Sequence, residues 1–338
     1  MDRYIHHLAG QRLMLGFEGT SLTPDLEEII EKFQAGGIIL FRYNIESPDQ
    51  LARLCADARG FAQSCGQPPL FIAVDQEGGV VSRLPRPFTR FAGNPHIRSR
   101  TQAREFARIT AEELAGAGIN MNLAPVLDVV PKTSSTSIMQ DRAFVGDARI
   151  VADLGTTVIT TLQKYGVMAV AKHFPGIGRT VLDSHHQLPV MDADISSLEA
   201  SDLVPFEAAV KADVAGIMLS HILYPRLDSQ WQASLSVAIA RDLIRNVLGF
   251  QGLVLTDDLD MKAIGHDMAT CMKQILLSDI DLALVCHQGP NIKKAFDSMA
   301  GLLASDTQLL ARGKTSLERI YRYKEKYLAW NRNGDKTA

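Results

Sequence analysis

Two stretches of the chain carry side chains that could do nucleophilic or acid–base work. The first is Lys172–Pro189, KHFPGIGRTVLDSHHQLP. Pro175, Gly176 and Gly178 end an apolar run and let the chain bend sharply. Asp183, Ser184, His185 and His186 follow. A carboxylate two residues from an imidazole can orient the ring and stabilise its cation. A neighbouring anion favours the protonated ring near neutrality, which is what a general acid needs. Two plainer readings stand beside this one. The stretch could be an exposed polar loop, or His173, His185, His186 and a carboxylate could hold a metal. No HExxH or comparable ligand spacing favours the metal.

The second stretch is Gly252–Gly265, GLVLTDDLDMKAIG. Asp257 and Asp258 follow a strongly apolar run. Side by side at a strand end, two carboxylates point in different directions, so one can face a site while the other bonds a loop. The first could attack an anomeric carbon or stabilise an oxocarbenium ion. The plainer reading makes both of them acids of a helix first turn.

These residues need a scaffold that brings them together. Eight short apolar runs read as strands: Leu13–Phe17, Gly37–Phe41, Leu70–Asp75, Asn120–Asp128, Val167–Phe174, Ala215–Ser220, Leu253–Asp257 and Asp281–Cys286. Each is apolar on both alternating faces, as strands buried on both sides of a parallel sheet are. Amphipathic stretches between them, such as Thr101–Ala117, Ala148–Tyr165, Ser197–Ala212 and Arg241–Leu248, read as helices. Repeated strand–helix alternation predicts an α/β fold, a single (β/α)₈ TIM barrel, with an open doubly wound sheet as the alternative. In a barrel the chemistry gathers at the C-terminal ends of the strands. Those ends carry Asp75, Asp128, Lys172, His173, Ser220, His221, Asp257, Asp258 and His287.

The chain has 338 residues, 46% hydrophobic and 22% charged, with net charge -3. Length alone suggests two domains of about 150 residues. No Pro-, Gly- or Ser-rich linker divides the chain, so the expectation is one barrel over residues 1–330 and a polar tail over 331–338. The near-neutral charge gives no sign of nucleic acid or an anionic membrane as partner. No apolar run reaches the length of a membrane span or a signal-peptide core, and no two of the four cysteines form a CxxC. A cytoplasmic protein with free thiols is expected. No exposed heptad or long apolar face is evident, so a monomer is expected.

Taken in order, the motifs resemble glycoside hydrolase family 3, and within it the bacterial β-N-acetylglucosaminidases (β-N-acetylhexosaminidases) of the NagZ type. They are GGIILF at Gly36–Phe41, AVDQEGGVVSRL at Ala73–Leu84, NLAPVLDV at Asn122–Val129 and DRAF at Asp141–Phe144. KHFPGIG at Lys172–Gly178, DSHHQLP at Asp183–Pro189, IMLSHILYP at Ile217–Pro225 and TDDLDM at Thr256–Met261 complete the set. Each is weak alone; eight in the right order are specific.

The resemblance implies a role for each matching residue. Asp257 matches the nucleophile, His185 the general acid/base and Asp183 its partner. Asp75, Arg83, Arg142, Lys172 and His173 match residues that hold the sugar, and Met261 lines the same region. Asp258 is then structural and His186 a bystander. The implied activity is a retaining exo-β-N-acetylglucosaminidase of cell-wall recycling, acting on muropeptides and needing no metal or cofactor. A β-glucosidase, a glycoside phosphorylase, a non-catalytic sugar-binding barrel and a Schiff-base aldolase using Lys172 are the alternatives. Two positions depart from the family pattern. Ile177 stands where a histidine is usual, and Ser278–Asp279 replace a usual Ala-Gly pair.

Overall fold

The structure is a computed structural model that describes residues 2–132, 136–181, 188–330 and 332. Eight parallel strands close into a barrel. In chain order they are β1 (Leu13–Gly16), β2 (Gly37–Leu40), β3 (Phe71–Val74), β6 (Met121–Asn122), β7 (Met168–Phe174), β8 (Gly216–Leu219), β9 (Leu253–Asp258) and β10 (Leu282–Val285). A short antiparallel hairpin, β4 (Gln76–Gly78) with β5 (Val81–Ser82), leaves the end of β3 and lies on the rim. β1 pairs with both β2 and β10, which closes the cylinder. The architecture is a single (β/α)₈ barrel, as the alternation of apolar runs predicts.

Most barrel strands are buried along their whole length, because side chains fill the barrel inside and helices cover it outside. Helices over Pro48–Ser64, Arg100–Gly116 and Ala148–Lys164 belong to this outer ring. Ser47, Ser99 and Asp147 cap them, each accepting a bond from a first-turn N–H. No helix among the described residues is long and apolar enough to cross a membrane.

Some elements differ from their sequence-based expectation. The run Asn120–Asp128 pairs as a strand only over Met121–Asn122. Pro125 has no N–H to give a ladder, and beyond it a lone bridge joins Val126 to Lys172. The helix expected over Ser197–Ala212 starts at Ile195 and widens to i→i+5 bonding over Leu198–Asp202. It resumes over Val204–Lys211, where Pro205 sits in the first turn. Past β10, two helices, Pro290–Ser305 and Thr307–Tyr327, pack back against the N-terminal helix Arg3–Gln11. Of the expected polar tail only Arg332 is described; it pairs with Glu318 at 2.6 Å.

Candidate active site

The C-terminal strand ends surround a cleft with two lobes. Asp75, Arg83 and Asp257 line both. The more polar lobe encloses about 260 Å³ and adds Glu77, Arg142, Lys172, His173, Ser220 and His221 to its wall. The other encloses about 340 Å³ between the ends of β2, β9 and β10.

Lys172 is 2% exposed on a strand that is apolar up to that point. Its ammonium is held there by two carboxylates, Asp75 at 2.6 Å and Glu77 at 2.7 Å. Glu77 also takes a two-pronged contact from Arg142, at 2.7 and 3.0 Å. Asp75 lies 3.6 Å from Arg83. His173 bonds Asp128 through Nδ1 at 2.9 Å and faces Arg142 through Nε2 at 3.4 Å. Burial works against the charges of Asp75, Glu77 and Lys172, yet the pairing wins. Asp75 and Glu77 stay below the usual carboxylate range, held down chiefly by Lys172. The Lys172 ammonium stays above its ordinary value because Asp75 and Glu77 outweigh its desolvation. An amine so firmly protonated is a poor Schiff-base nucleophile, which counts against the aldolase alternative.

Asp257, next to last in β9, stands at the wall common to both lobes. Its Oδ1 accepts the N–H of Asp258 at 2.8 Å. Burial pushes the Asp257 carboxyl up, but His221, His173, that N–H and Lys172 together hold it below the ordinary value. The buried His221 fixes the same strand end. Its Nε2 lies 2.8 Å from the Asp258 carbonyl, which can only accept, so Nε2 carries the proton. Nδ1 lies 2.6 Å from Ser234 Oγ. Burial lowers the His221 pKa, while the neighbouring Asp257 charge works the other way. The Asp258 carboxylate accepts from the N–H groups of Asp260 and Cys286, at 3.0 and 3.1 Å. It anchors the loop, as its place in the motif implies.

Asp75, Arg83, Arg142, Lys172, His173, Asp257 and Met261 therefore all come to one cleft. Asp183, His185 and His186 lie outside the described residues. Asp128 and His221 were legible only as strand-end residues; their partners give them work. Glu77 was missed, although it stands in the quoted DQEGG run. Ser220 Oγ and Arg83 Nε are buried in the cleft wall without a protein partner among the described residues. At the departures, Ile177 is buried and donates its N–H to Asp128 at 2.8 Å. Asp279 pairs with Arg312 at 2.9 Å. Gly176 has φ +127°, and a Cβ there would meet that of Asp202 at 2.7 Å, so the turn after β7 requires glycine. Among the described residues, Asp258, Asp260 and His287 form one group with ligand atoms within 4.8 Å of one another. Backbone N–H groups and Asn291 already occupy oxygens of both carboxylates.

Glu77 carries a large share of this network. Glu77→Gln keeps the shape but leaves two buried cations with one carboxylate fewer. Breaking a buried pair by removing one partner costs about 3–5 kcal/mol. The expected result is a loss of that order in urea-unfolding free energy. Conversely, Glu77→Asp should recover part of it. An unchanged midpoint for Glu77→Gln would show that Asp75 alone satisfies Lys172.

Comparison with known proteins narrows the class to a glycoside hydrolase. The glycosyl hydrolase family 3 N-terminal domain matches residues 9–322, and the chain belongs to that family. A Nitrosomonas eutropha protein named beta-hexosaminidase is 34% identical over 299 residues, 85% of this chain and 84% of its own. A Pseudomonas aeruginosa beta-hexosaminidase is 33% identical over 94% of this chain and 95% of its own. Among solved structures, a family 3 β-N-acetylglucosaminidase from Paenibacillus sp. superposes with TM-score 0.90 at 33% identity. That match covers 98% of this chain, which spans 65% of the Paenibacillus chain. NagZ from Neisseria gonorrhoeae, solved with N-trifluoroacetyl-D-glucosamine, superposes with TM-score 0.77 at 26% identity, over 91% of this chain and 98% of its own.

Proposed function

We propose that the protein is a retaining exo-β-N-acetylglucosaminidase. Its substrates are muropeptides in which terminal N-acetylglucosamine is β-1,4-linked to 1,6-anhydro-N-acetylmuramic acid, and its role is cytoplasmic cell-wall recycling. The observation that carries this reading is the place of Asp257 at the edge of a pocket dense in charged hydrogen-bonding groups, which hold its carboxyl below the ordinary value. Sugar hydroxyls need many convergent bonds, and charge-assisted ones are the stronger kind. The Ser220 and Arg83 groups, which have no protein partner among the described residues, suit a hydroxyl-rich ligand. The names of the relatives point the same way.

In this mechanism an Asp257 oxygen attacks the anomeric carbon while the bond to the leaving oxygen breaks. His185, oriented by Asp183, delivers its proton to that oxygen. Water then attacks the glycosyl-enzyme, His185 takes a proton from it, and Asp257 is released as carboxylate. Asp75, Arg83, Arg142, Lys172 and His173 hold the sugar, and Met261 flanks it.

Two measurements test the reading. The purified protein should cleave an aryl β-N-acetylglucosaminide faster than the aryl β-glucoside, with no stimulation by phosphate. Preference for the glucoside, or dependence on phosphate, would remove it. Replacing His185 with alanine should cost about 10²–10⁴-fold on a poor leaving group, the range of general acid catalysis. The loss on a strongly activated aryl group should be far smaller. Equal losses on both would take the acid role from His185.

A further inference from the structure

The residues on either side of the DSHH stretch are tied down by several bonds, and one buried acid beside them has no assigned role. On the entry side, after β7, the Gly176 carbonyl accepts from the Tyr224 hydroxyl at 2.8 Å. Ile177 donates its N–H to Asp128, the carboxylate that also holds His173. The Thr180 carbonyl accepts the N–H of Ile138 at 3.1 Å. On the exit side, the Pro189 carbonyl accepts the N–H of Leu223 at 3.0 Å, and the Met191 N–H donates to the Leu223 carbonyl at 2.9 Å. Leu223 and Tyr224 are neighbours in the segment after β8, so one segment ties both sides.

Arg179 belongs to the entry side. Its guanidinium pairs with Asp202 and donates to the Ser197 carbonyl at 3.1 Å. Asp202 closes the widened i→i+5 turn of its helix, and its side chain is fully buried. Such widened turns are frequent at functional sites. Gly176 packs directly on this residue, since a Cβ there would meet that of Asp202 at 2.7 Å. Asp202 thus meets the entry turn twice, by packing at Gly176 and by charge at Arg179. Burial pushes its carboxyl up to about 6 against the pull of Arg179, so it is ionised at neutral pH. Neither residue of the pair is among those lining the two lobes of the cleft. Any effect on the reaction must pass through the turn that they hold.

Resting on the glycosidase reading above, we propose that Asp202 and Arg179 are a positioning pair for the acid/base step. They fix the turn from which the chain runs on to Asp183 and His185. Proton delivery needs donor and acceptor within about 3 Å of each other. A misplacement of about 1 Å can cost as much as 10²-fold. Loss of the pair therefore weakens protonation of the leaving oxygen. Attack by Asp257 depends on β9 and its own contacts, so it is spared. A leaving group that departs without a proton is then insensitive to the pair.

The test compares two substrates that share the transferred sugar. One is a β-linked N-acetylglucosaminyl disaccharide, whose alcohol needs a proton to leave; the other is the glycoside of a strongly acidic phenol, which does not. At neutral pH, Asp202→Asn should lower kcat/KM on the disaccharide roughly ten- to a hundred-fold and leave the phenol glycoside within about two-fold of the wild type. Arg179→Gln, on the more exposed side of the pair, should do the same. The double variant should lose no more than either single one, as groups acting as a unit do. Arg179→Lys should restore most of the disaccharide rate. Inhibition by free N-acetylglucosamine reports the sugar-holding residues and should keep its constant. Equal losses on the two substrates, in a variant with the wild-type melting temperature, overturn the positioning role. Additive losses in the double variant overturn the pair. A wild type that cleaves neither substrate removes the glycosidase reading, and this proposal with it.

Discussion

Asp257→Ala is expected to lower kcat on an aryl β-N-acetylglucosaminide by about 10⁴-fold or more, the scale at which enzymes lose their nucleophile. The reasoning starts from charge. A carboxylate sealed from water ordinarily gains a proton and loses its nucleophilicity. Here His221, His173, the Asp258 N–H and Lys172 reverse that tendency. Asp257 is therefore ionised at neutral and mildly acidic pH, and no activity loss above about pH 4 should trace to it. Asp258→Ala is the comparison. That carboxyl anchors the loop through the N–H groups of Asp260 and Cys286, so its loss should be smaller and accompanied by lower stability. Azide distinguishes the possible mechanisms. In Asp257→Ala it can occupy the space of the missing carboxylate and attack from the same face, giving the α-glycosyl azide. If the substrate's acetamido group were the nucleophile, azide would open that intermediate from the opposite face and give the β-azide. A β-product, or a variant with near-normal kcat, would end the case for Asp257 as nucleophile.

The sequence made the barrel readable for one physical reason. A strand buried on both faces must be apolar at consecutive positions, and runs such as Phe71–Val74 and Leu282–Val285 have no other plausible environment. The same signal misled at Asn120–Asp128, where apolar residues continue past the last paired one. Hydrophobicity reports burial, and a buried loop looks much like a strand. The site divides in a similar way. Asp257 stood out because polar residues begin abruptly at a strand end. Glu77 did not, because Gln-Glu-Gly-Gly reads as a solvated turn. Its burial depends on Lys172 and Arg142, far away in the chain, and no local pattern encodes that. The stacking of Phe41 with His287 was invisible for a related reason: His287 follows β10, which pairs with β1, and β1 pairs with β2, whose end carries Phe41.

Lys324 is the strongest instance of burial that the sequence conceals, and it leads to the second large prediction. It lies in the polar run ERIYRYKEKY of the last helix, yet it is fully buried. Its Nζ donates to Gln11 Oε1 at 2.7 Å and lies 5.1 Å from the Phe71 ring centroid, at the barrel end opposite the cleft. Among the described residues no carboxylate pairs with it, and burial pushes its pKa down to about 7. An unfolded lysine titrates near 10.4. Between about pH 7 and 10 the unfolded chain thus binds a proton that the folded chain does not, so stability rises with pH across that window. Below it both states are protonated and the full penalty persists; above it the penalty vanishes. Lys324→Met keeps the length and removes the charge. At pH 7 it should stabilise the fold by about 3 kcal/mol, roughly the linkage term less the cost of stranding the Gln11 carbonyl. The gain should shrink as pH rises, approaching zero or turning slightly negative near pH 10. Urea unfolding of both proteins at pH 6, 8 and 10 measures this directly. A difference that stays constant over the three values would mean that Lys324 keeps its proton in the folded state, with Gln11 and the Phe71 ring solvating it well enough.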